Sequence, residues 1–411
     1  MGAIYGNSYY TIVDGPSWTE AEAQAVALGG NLVSINTSAE NQFISNSFED
    51  ENKSYYGGTA DKDIYWIGLT KQSGAWKWSN GSNFNFRSWG PLEPYEDSGM
   101  NDRAEITVQA HGGPWLQSAG NWNNNSDLIS PKGRYGIAEI QLSYFTIADA
   151  SFREGKGGEI TISRTGNTTT TQTLKVNSSD GTATTADDDY AAIDTTVSFA
   201  AGETSKTISL STTADLNVED DETFTLTLTA EGSDEVPPQI SDGSATVTIK
   251  ADDFQRGDSL YTIVDGPSWT EAEQESQRIG GNLTAINNEE ENTWLHSTFN
   301  IYKNTLTQPI QDSELDLYWI GLNDEANEGE WKWTNGDTVS YTNWHRDQPS
   351  GGRTENYVAL GWISPQWGDV EHSYSDNRVK GGIAEISLAP TPTYSLSTST
   401  TSIDEATTSS V

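Results

Sequence analysis

Two segments of the chain have the amphipathic pattern of a short helix. In the first segment, apolar residues recur at intervals of three and four positions, which places them on one face of a helix. These residues are Trp18, Ala21, Ala25 and Leu28. Ser17 and Glu20 have the spacing of a capping box, and the following Gly29 predicts where the helix ends. The same pattern begins again at Ser268.

The second occurrence belongs to a long internal repeat. Residues 261–273 repeat residues 10–22 letter for letter as YTIVDGPSWTEAE. Shorter matches follow in the same order in both copies, and they read GGNL, YWIGL, WKW and GIAEI. A second helix is predicted over 38–48 and over 289–299, and the other apolar runs are short and separated by polar loops. Each copy is therefore predicted to be an α+β domain of two helices and small strands.

The residues between the two copies follow a different period. Over residues 142–253, apolar residues alternate with Thr or Ser in several short runs that turn residues separate. The runs are EITIS from Glu159, TVSF from Thr196, TISL from Thr207, FTLTLT from Phe224 and ATVTI from Ala245. This alternation predicts half-buried antiparallel strands, and their number predicts a β-sandwich.

These patterns divide the chain into a multidomain array. We predict a first repeat domain at 1–141, a sandwich at 142–256 and a second repeat domain at 257–388. Residues 389–411 are predicted to be a linker and the truncated start of a further β-sandwich, because the first repeat domain passes into the sandwich in a similar way. The chain is therefore interpreted as a piece of a longer alternating protein.

The composition narrows the class of partner. The chain has 60 acidic and 22 basic residues, a formal net charge of −38. Binding to nucleic acid or to anionic lipid requires a surplus of Lys and Arg, so both are disfavoured. The carboxylates indicate either a highly soluble surface or clusters that hold hard cations through oxygen ligands. No run reaches the ~20 apolar residues of a membrane helix, so no membrane insertion is predicted for this segment.

The motifs of both repeat domains resemble those of the C-type lectin-like domain. The resemblance rests on the Trp-containing first helix, the WIGL and W-x-W strands, a long loop that ends at a Trp, and the final GIAEI strand. It implies that the last strand pairs near the N-terminus of each domain. Family members usually hold this fold with cysteines, and the chain has none, so aromatic packing is expected instead. The tryptophans expected in the core, rather than on a sugar-stacking surface, are Trp66, Trp76, Trp78, Trp319, Trp331 and Trp333.

The sandwich resembles a Calx-β domain, a calcium-binding fold of the immunoglobulin-like type. The runs SDGTATTADDDY, TVSFAAGE, DLNVEDDETF and ATVTIKADD are the basis of the resemblance. It implies that acidic loops converge at one end of the sandwich and supply oxygen ligands to Ca²⁺. The implied ligands are Glu154, Asp189, Asp215, Glu219, Glu222, Asp252 and Asp253. The alternative is a solvated acidic rim that binds no ion.

Both repeat domains contain an incomplete version of the lectin family's calcium and sugar site. The family pattern is a Glu-Pro-Asn or Gln-Pro-Asp triplet, a later Glu and a Trp-Asn-Asp run, whose side chains bind the ion and the sugar hydroxyls together. The first domain offers Glu93, Asn101, Asn123 and Asn124. The second offers Gln348, Ser350, Glu355 and Asp369. Because the second set has more carboxylates, calcium-dependent sugar binding is expected there, the alternative being an ordered loop without a sugar.

The combined features predict a calcium-binding, carbohydrate-recognising adhesion segment of a large extracellular or cell-surface protein. The expected cofactor is Ca²⁺, and the expected partner is a glycan or another cell-surface or matrix ligand. The export signal is expected outside this segment. The alternative is a structural array whose lectin-like domains bind protein or no ligand. Nucleophile-elbow, phosphate-loop and dinucleotide motifs do not occur in the sequence, so a non-enzymatic function is predicted.

Overall fold

The structure is a computed structural model that describes residues 2–48, 64–95, 101–108, 118–127, 135–232, 234–299, 317–361, 365–371 and 379–388. These residues form two compact units. The first unit contains the first repeat domain and most of the sandwich. The second contains the sandwich segments Arg153–Gly155 and Ala214–Asp221 and the residues from Ile249 onward. The predicted linker at 389–411 lies outside the described residues.

The first repeat domain is built on one sheet with the strand order β1-β2-β8-β4-β6-β7, where β3 pairs with β8 and β5 with β4. Its elements are β1 (Gly2–Tyr5), β2 (Ser8–Asp14), α1 (Trp18–Ala27), β3 (Asn31–Leu32), α2 (Ser38–Ser47), β4 (Ile64–Gln72), β5 (Ala75–Trp78), β6 (Arg103–Thr107), β7 (Trp122–Asn125) and β8 (Tyr135–Gln141). Strand β8 contains the GIAEI run and lies antiparallel to β2. The predicted return of the last strand to the N-terminal region is thus confirmed.

The first helix begins at the predicted capping box. The Ser17 hydroxyl accepts from the Glu20 N–H, and the Glu20 carboxylate accepts from the Ser17 N–H. Trp18 and Ala21 are buried on the inner face of α1. The Trp18 indole N–H donates to the carbonyl oxygen of Ile67 at 2.7 Å. This bond fixes the helix to β4, the YWIGL strand.

The second repeat domain has the same sheet order, β18-β19-β25-β21-β23-β24, with β20 on β25 and β22 on β21. Its elements are β18 (Phe254–Arg256), β19 (Ser259–Val264), α3 (Trp269–Arg278), β20 (Asn282–Leu283), α4 (Glu289–Phe299), β21 (Leu317–Asn323), β22 (Lys332–Trp333), a 3-10 helix (Gly352–Thr354), β23 (Tyr357–Leu360), β24 (Trp367–Val370) and β25 (Val379–Ser387). A capping box between Ser268 and Glu271 begins α3, and Trp269 donates to the Ile320 carbonyl at 2.8 Å. The two copies therefore share one local design.

The middle segment is a sandwich of two sheets, as predicted. The strand orders are β10-β17-β15-β12-β13 and β14-β11-β9-β16. The strands are β9 (Ser143–Ile147), β10 (Ala150–Arg153), β11 (Gly158–Gly166), β12 (Gln172–Ser179), β13 (Asp194–Phe199), β14 (Ser205–Leu210), β15 (Glu222–Ala230), β16 (Gln239–Asp242) and β17 (Ser244–Lys250). The rings of Phe145 and Phe199 lie 5.1 Å apart in its core. All five predicted runs belong to these strands.

Aromatic side chains fill the cores of the repeat domains. The tryptophans predicted there are buried or half-buried: Trp66, Trp78, Trp319 and Trp333 are buried, and Trp76 and Trp331 pack half-buried against the core. The ring centroid of Trp122 lies 5.6 Å from that of Trp78, and that of Trp367 lies 5.8 Å from that of Trp333. Edge-to-face pairs of this kind add to the free energy of burial. The predicted core positions are confirmed.

Candidate cation and ligand sites

The carboxylates of Glu154, Asp215 and Asp253 lie together in the second unit. Each has an oxygen atom within 4.8 Å of the others. Glu154 directly follows β10, Asp215 lies between β14 and β15, and Asp253 lies between β17 and β18. Three segments that are far apart in the sequence thus bring together three of the predicted calcium ligands.

Burial makes this group of carboxylates costly without a cation. Asp253 is only 1% exposed, and neither of its carboxylate oxygens makes a well-formed hydrogen bond among the described residues. Burial, together with the nearby carboxylates of Asp252 and Asp215, raises the pKa of Asp253 to about 7, although the Thr262 side chain and the Arg153 guanidinium act in the opposite direction. Burial also raises the pKa of Glu154 to about 8, although the Asp215 N–H donates to its Oε1 at 2.8 Å. The group therefore fits a hard divalent cation that binds oxygen.

The other predicted ligands of the sandwich have different surroundings. Asp189 and Glu222 belong to the first unit, and their carboxylate oxygens lie within 4.8 Å of one another. Glu219 is exposed on the connection between β14 and β15. Asp252 accepts from the Arg153 guanidinium at 2.9 Å, so it already has a cationic partner. The role of these four carboxylates as ligands stays a prediction.

Each candidate sugar site is built on a strand that a buried tryptophan anchors. The Trp122 indole N–H donates to the Asn41 side-chain oxygen at 2.8 Å, and that of Trp367 donates to Asn292 at 2.7 Å. Both tryptophans are fully buried. Asn123 and Asn124 follow Trp122, and both are candidate site residues. Asp369, the candidate of the second domain, follows Trp367 after one glycine. The anchor therefore sets where strands β7 and β24 present their polar side chains.

In the second repeat domain, the long loop is hydrogen-bonded to β24. The peptide bond Gln348–Pro349 is cis. The next residue, Ser350, donates its N–H to both carboxylate oxygens of Asp369 at 2.8 Å. Its hydroxyl donates to Glu355 Oε2 at 3.3 Å. Four predicted residues, Gln348, Ser350, Glu355 and Asp369, are thus brought to one loop and one strand end.

This second site concentrates negative charge around buried oxygen atoms. Burial, together with the carboxylates of Glu355 and Asp324, raises the pKa of Asp369 to about 6. Asp324 Oδ2 accepts from the Gly329 N–H at 2.8 Å, but its Oδ1 is buried without a hydrogen-bond partner in the described part of the chain. The same is true of Gln348 Oε1. Unpartnered oxygens beside several carboxylates are the donor set that Ca²⁺ requires.

Asp324 is a residue of this region that the sequence analysis did not identify. Its N–H donates to the Asn356 carbonyl, at 3.2 Å. In the first repeat domain, the Lys71 N–H donates to the Asp102 carbonyl at 2.8 Å, so Lys71 and Asp324 occupy equivalent positions. The sequence contains one sign of this difference, because the second residue after the matching YWIGL runs is Lys71 in the first copy and Asp324 in the second.

The described residues of the corresponding loop in the first repeat domain are hydrogen-bonded to one another and to β7. The Glu93–Pro94 bond is also cis. The Tyr95 N–H donates to the side-chain oxygens of Asn124, at 2.8 Å, and of Glu93, at 3.0 Å. The Asn124 amide donates to the carbonyls of Tyr95 at 2.9 Å and of Asn101 at 3.1 Å. A carboxylate could not make these last two bonds, since it has no hydrogen to donate.

The two regions therefore differ in charge at four equivalent positions. At one of them the first domain has the carboxylate, Glu93, and the second has Gln348. At the other three the second domain has the carboxylate. The first has Lys71, Asn101 and Asn124, and the second has Asp324, Glu355 and Asp369. One ammonium and two amides in the first thus replace three carboxylates in the second. Asn123, the remaining candidate of the first domain, lies on β7 with its side-chain oxygen buried and without a partner among the described residues. At the four equivalent positions the second domain has three carboxylates and the first has one, so a cation is favoured more strongly in the second.

The comparison with protein families identifies the repeat domains. The family model of the Lectin C-type domain matches residues 14–130 and 265–379, more than half of the chain. The chain belongs to the C-type lectin domain family. Residues 139–253 match the Calx-beta domain. The predicted arrangement, two C-type lectin domains that flank a Calx-beta domain, is confirmed.

Several named proteins are similar to parts of this C-type lectin chain. A Perlucin-like protein of Mytilus galloprovincialis is 34% identical over 109 residues, 26% of this chain and 64% of that protein. C-type lectin domain family 10 member A of Mus musculus is 32% identical over 145 residues, 34% and 40% of the two chains. An Alpha-N-acetylgalactosamine-specific lectin of Patiria pectinifera is 34% identical over 107 residues, 25% and 59%. The chain spans less than two thirds of the length of these relatives.

Solved structures of both domain types are similar to parts of the chain. The carbohydrate-recognition domain of the mouse scavenger receptor C-type lectin has 26% identity and a TM-score of 0.27, and the match covers 34% of this chain and 97% of that one. The apo form of the Calx CBD1 domain has 23% identity and a TM-score of 0.25, and the match covers 28% and 100%. Among the described residues, no helix of the lectin or Calx-beta domains has the length and apolar character needed to cross a membrane.

Proposed function

We propose that the chain is a calcium-binding, carbohydrate-recognising segment of an extracellular or cell-surface adhesion protein. In this proposal the Calx-beta domain binds cations, and the second lectin domain binds a glycan in a calcium-dependent way. The family membership supports a carbohydrate ligand, and the name of the Patiria pectinifera relative specifies a sugar. Calcium binding is general in both domain families, which supports Ca²⁺ as the cofactor.

The buried carboxylate of Asp253 supports the cation half of the proposal. A carboxylate that is 1% exposed and makes no well-formed hydrogen bond among the described residues needs a positive partner to offset its burial. Glu154 and Asp215 supply two further carboxylates within 4.8 Å. We propose these three side chains as ligands of a Ca²⁺ ion, whose charge removes their mutual repulsion.

The loop of the second lectin domain supports the sugar half. This assignment rests on the hydrogen bonds of Ser350, whose N–H donates to both carboxylate oxygens of Asp369 at 2.8 Å and whose hydroxyl donates to Glu355 at 3.3 Å. The buried oxygen of Gln348 and the hydroxyl of Ser350 lie on the same loop and can accept and donate hydrogen bonds. Bound Ca²⁺ would supply an electrophilic centre for sugar hydroxyl oxygens, which these side chains would orient. The Gln-Pro opening resembles the galactose-type triplet, so galactose and N-acetylgalactosamine are the first sugars to test.

The proposal is tested on the full chain with a glycan array in the presence of Ca²⁺ or EDTA. The informative variant is Asp369→Asn, because it copies the residue of the first domain at the equivalent position. Its matched control is Asn124→Ala in the first domain. We expect the unmodified chain to bind glycans only with Ca²⁺, Asp369→Asn to lose this binding and Asn124→Ala to retain it.

The opposite pattern would overturn the assignment to the second domain. Retention of binding by Asp369→Asn with loss by Asn124→Ala would transfer the site to the first domain. Binding that EDTA does not remove would contradict the role of calcium. An array without any signal, for a chain that circular dichroism shows to be folded, would support the alternative of a structural array.

A further inference from the structure

The side chain of Arg153 joins the cation site of the Calx-beta domain to the second lectin domain. Arg153 directly precedes Glu154, the first of the three clustered carboxylates. Its Nη1 donates to Asp252 Oδ2 at 2.9 Å and to the Ile263 carbonyl at 3.0 Å. Its Nη2 contacts Asp265 Oδ1 at 3.2 Å. A guanidinium is planar and carries several fixed donors, so it can hold all three acceptors at once.

The acceptors lie on two segments that the chain itself connects. Asp252 is adjacent to Asp253, after which the chain enters β18. Strand β18 pairs antiparallel with β19, the strand that contains Ile263. Asp265 follows the end of β19. The residues from Arg153 through the cation group, β18 and β19 therefore form a closed loop of contacts within the second compact unit.

We infer that Arg153 couples cation binding at Glu154, Asp215 and Asp253 to the stability of the first strand pair of the second lectin domain. The inference rests on the proposed calcium site. Without a cation, the three carboxylates repel one another, and Glu154 and Asp253 are direct chain neighbours of Arg153 and Asp252. Holding these carboxylates together keeps the guanidinium against β19, because the intervening backbone is a single peptide unit on each side. Arg153 acts here as a positioning residue.

The first lectin domain provides a matched comparison inside the same chain. Residues 10–22 are identical to residues 261–273, so Ile12 and Asp14 are the counterparts of Ile263 and Asp265. Asp14 makes no ion pair within the described residues. Neither does any described guanidinium donate to the Ile12 carbonyl. Among the described residues, only the second copy of this segment is therefore contacted by an arginine, although the two local sequences are the same.

The test is hydrogen–deuterium exchange of the full chain in Ca²⁺ and in EDTA. Peptides that include Leu260 or Tyr9 distinguish the two identical segments by their flanking residues. We expect Ca²⁺ to slow exchange in β18 and β19 by about tenfold, a typical coupling between sites, and to leave β1 and β2 unchanged. In Arg153→Ala the calcium effect on β18 and β19 is lost, and in Arg153→Lys it is reduced, because an ammonium lacks the fork of donors.

A second pair of variants leaves Arg153 and the cation group intact. Asp265→Asn removes the negative charge of one partner of the guanidinium and is expected to reduce the calcium effect on β19. Asp14→Asn is its counterpart in the first lectin domain and is expected to have no effect. Equal calcium protection of β18 and β19 in Arg153→Ala and in the unmodified chain would overturn the inference.

Titration calorimetry of the same samples separates the two proposals. If Glu154→Gln with Asp253→Asn loses one calcium-binding event and β19 exchange does not respond to calcium in the unmodified chain, the coupling through Arg153 is wrong while the proposed cation site stands. If the chain takes up no calcium, and Glu154→Gln with Asp253→Asn behaves as the unmodified chain does, the cation site itself is wrong, and the coupling is wrong with it.

Discussion

We expect the Calx-beta domain to respond to calcium chiefly through the side chain of Asp253. Its carboxylate is 1% exposed, so its charge lowers the stability of the folded chain when no cation is bound. We predict that Asp253→Asn raises the free energy of unfolding in EDTA by about 2 kcal/mol. The same change should remove the stabilisation by Ca²⁺. Thermal unfolding of the full chain, with and without Ca²⁺, measures both effects.

The control for this prediction is Asp242→Asn, which removes an exposed carboxylate of the same domain. Its unfolding should match that of the unmodified chain in both conditions. If Asp253→Asn is still stabilised by Ca²⁺ as strongly as the unmodified chain, the buried carboxylate is not a ligand.

The pKa values of the same group predict an unusual pH dependence. Those of Glu154 and Asp253 are raised to about 8 and about 7, above their values in the unfolded chain. The folded state therefore binds more protons than the unfolded state between about pH 4 and pH 8. In EDTA, the free energy of unfolding should decrease as the pH rises through this range. Ca²⁺ should reverse the trend, because it binds the deprotonated carboxylates.

Chemical denaturation at several pH values in EDTA and in Ca²⁺ measures this dependence. Stability in EDTA that increases from pH 5 to pH 8 would contradict the assignment. The double variant Glu154→Gln with Asp253→Asn should have a flatter profile, since both groups with raised pKa values are removed.

At the scale of residues, the sequence indicated which carboxylates lie together but not their other partners. Glu154, Asp215 and Asp253 were proposed as ligands through the resemblance to a Calx-β domain, and the structure places their carboxylates within 4.8 Å of one another. The pairing of Asp252 with Arg153 could not be predicted, since Arg153 ends β10 and Asp252 lies in the connection between β17 and β18, about a hundred residues later in the sequence. Asp324 was overlooked because a single acidic residue after a strand has no distinctive spacing.

At the scale of elements, the sequence predicted the helices and strands that have a regular local pattern and not the remaining strands. The capping boxes and the three-and-four spacing were enough to predict both first helices. The runs predicted in the sandwich correspond to β11, β13, β14, β15 and β17. The sequence pattern did not predict strands β9, β10, β12 and β16. Their apolar residues either occur in short stretches or alternate with charged and amide residues, so tertiary pairing decides their conformation.

The long loops of the two lectin domains allow a gain-of-function prediction. The first domain has Lys71 at the end of β4 and Asn101 and Asn124 around the loop, where the second domain has three carboxylates. We predict that the triple variant Lys71→Asp, Asn101→Glu, Asn124→Asp adds one calcium-binding event to the chain. The reason is that the added carboxylates create the charge that only a cation can neutralise. Titration calorimetry against the unmodified chain measures the additional binding.

Two further variants make this prediction specific. Lys71→Ala removes a positive charge without adding a ligand, and it should leave the number of bound calcium ions unchanged. Asp369→Asn in the second domain should lower that number by one. A triple variant that folds, as judged by its circular dichroism, and binds no additional calcium would show that charge is not what distinguishes the loops.

At the scale of the whole molecule, the difference between the loops sets the valency. If only the second lectin domain binds sugar with calcium, one chain takes up one monosaccharide, and the chain has no intramolecular avidity. We predict a stoichiometry of one sugar per chain in calorimetry with a soluble ligand in Ca²⁺. Two sugars per chain, with Asp369→Asn reducing the number to one, would contradict this prediction.

The first compact unit shows where a domain assignment from sequence reaches its limit. Leu142 and Val236 of the Calx-beta domain are buried in the same cluster as Trp18 of the first lectin domain. The Leu142 N–H also donates to the Asn7 carbonyl at 2.9 Å. A boundary after residue 141 follows the change of pattern along the chain, and it separates residues that share one core. Periodicity locates elements, whereas the extent of a core depends on contacts that are distant in sequence.

The amide of Asn124 has a consequence for how the chain behaves when its medium changes. This amide donates hydrogen bonds to the carbonyls of Tyr95 and Asn101, so the chain itself holds these parts of the first loop together. The shape of this loop should therefore be the same in calcium-poor and calcium-rich water, while the second loop should tighten only in the latter. A single polypeptide would then present one surface that is permanent and one that is conditional. On dilution into low-calcium water, the second surface would then lose its glycan while the first kept its shape.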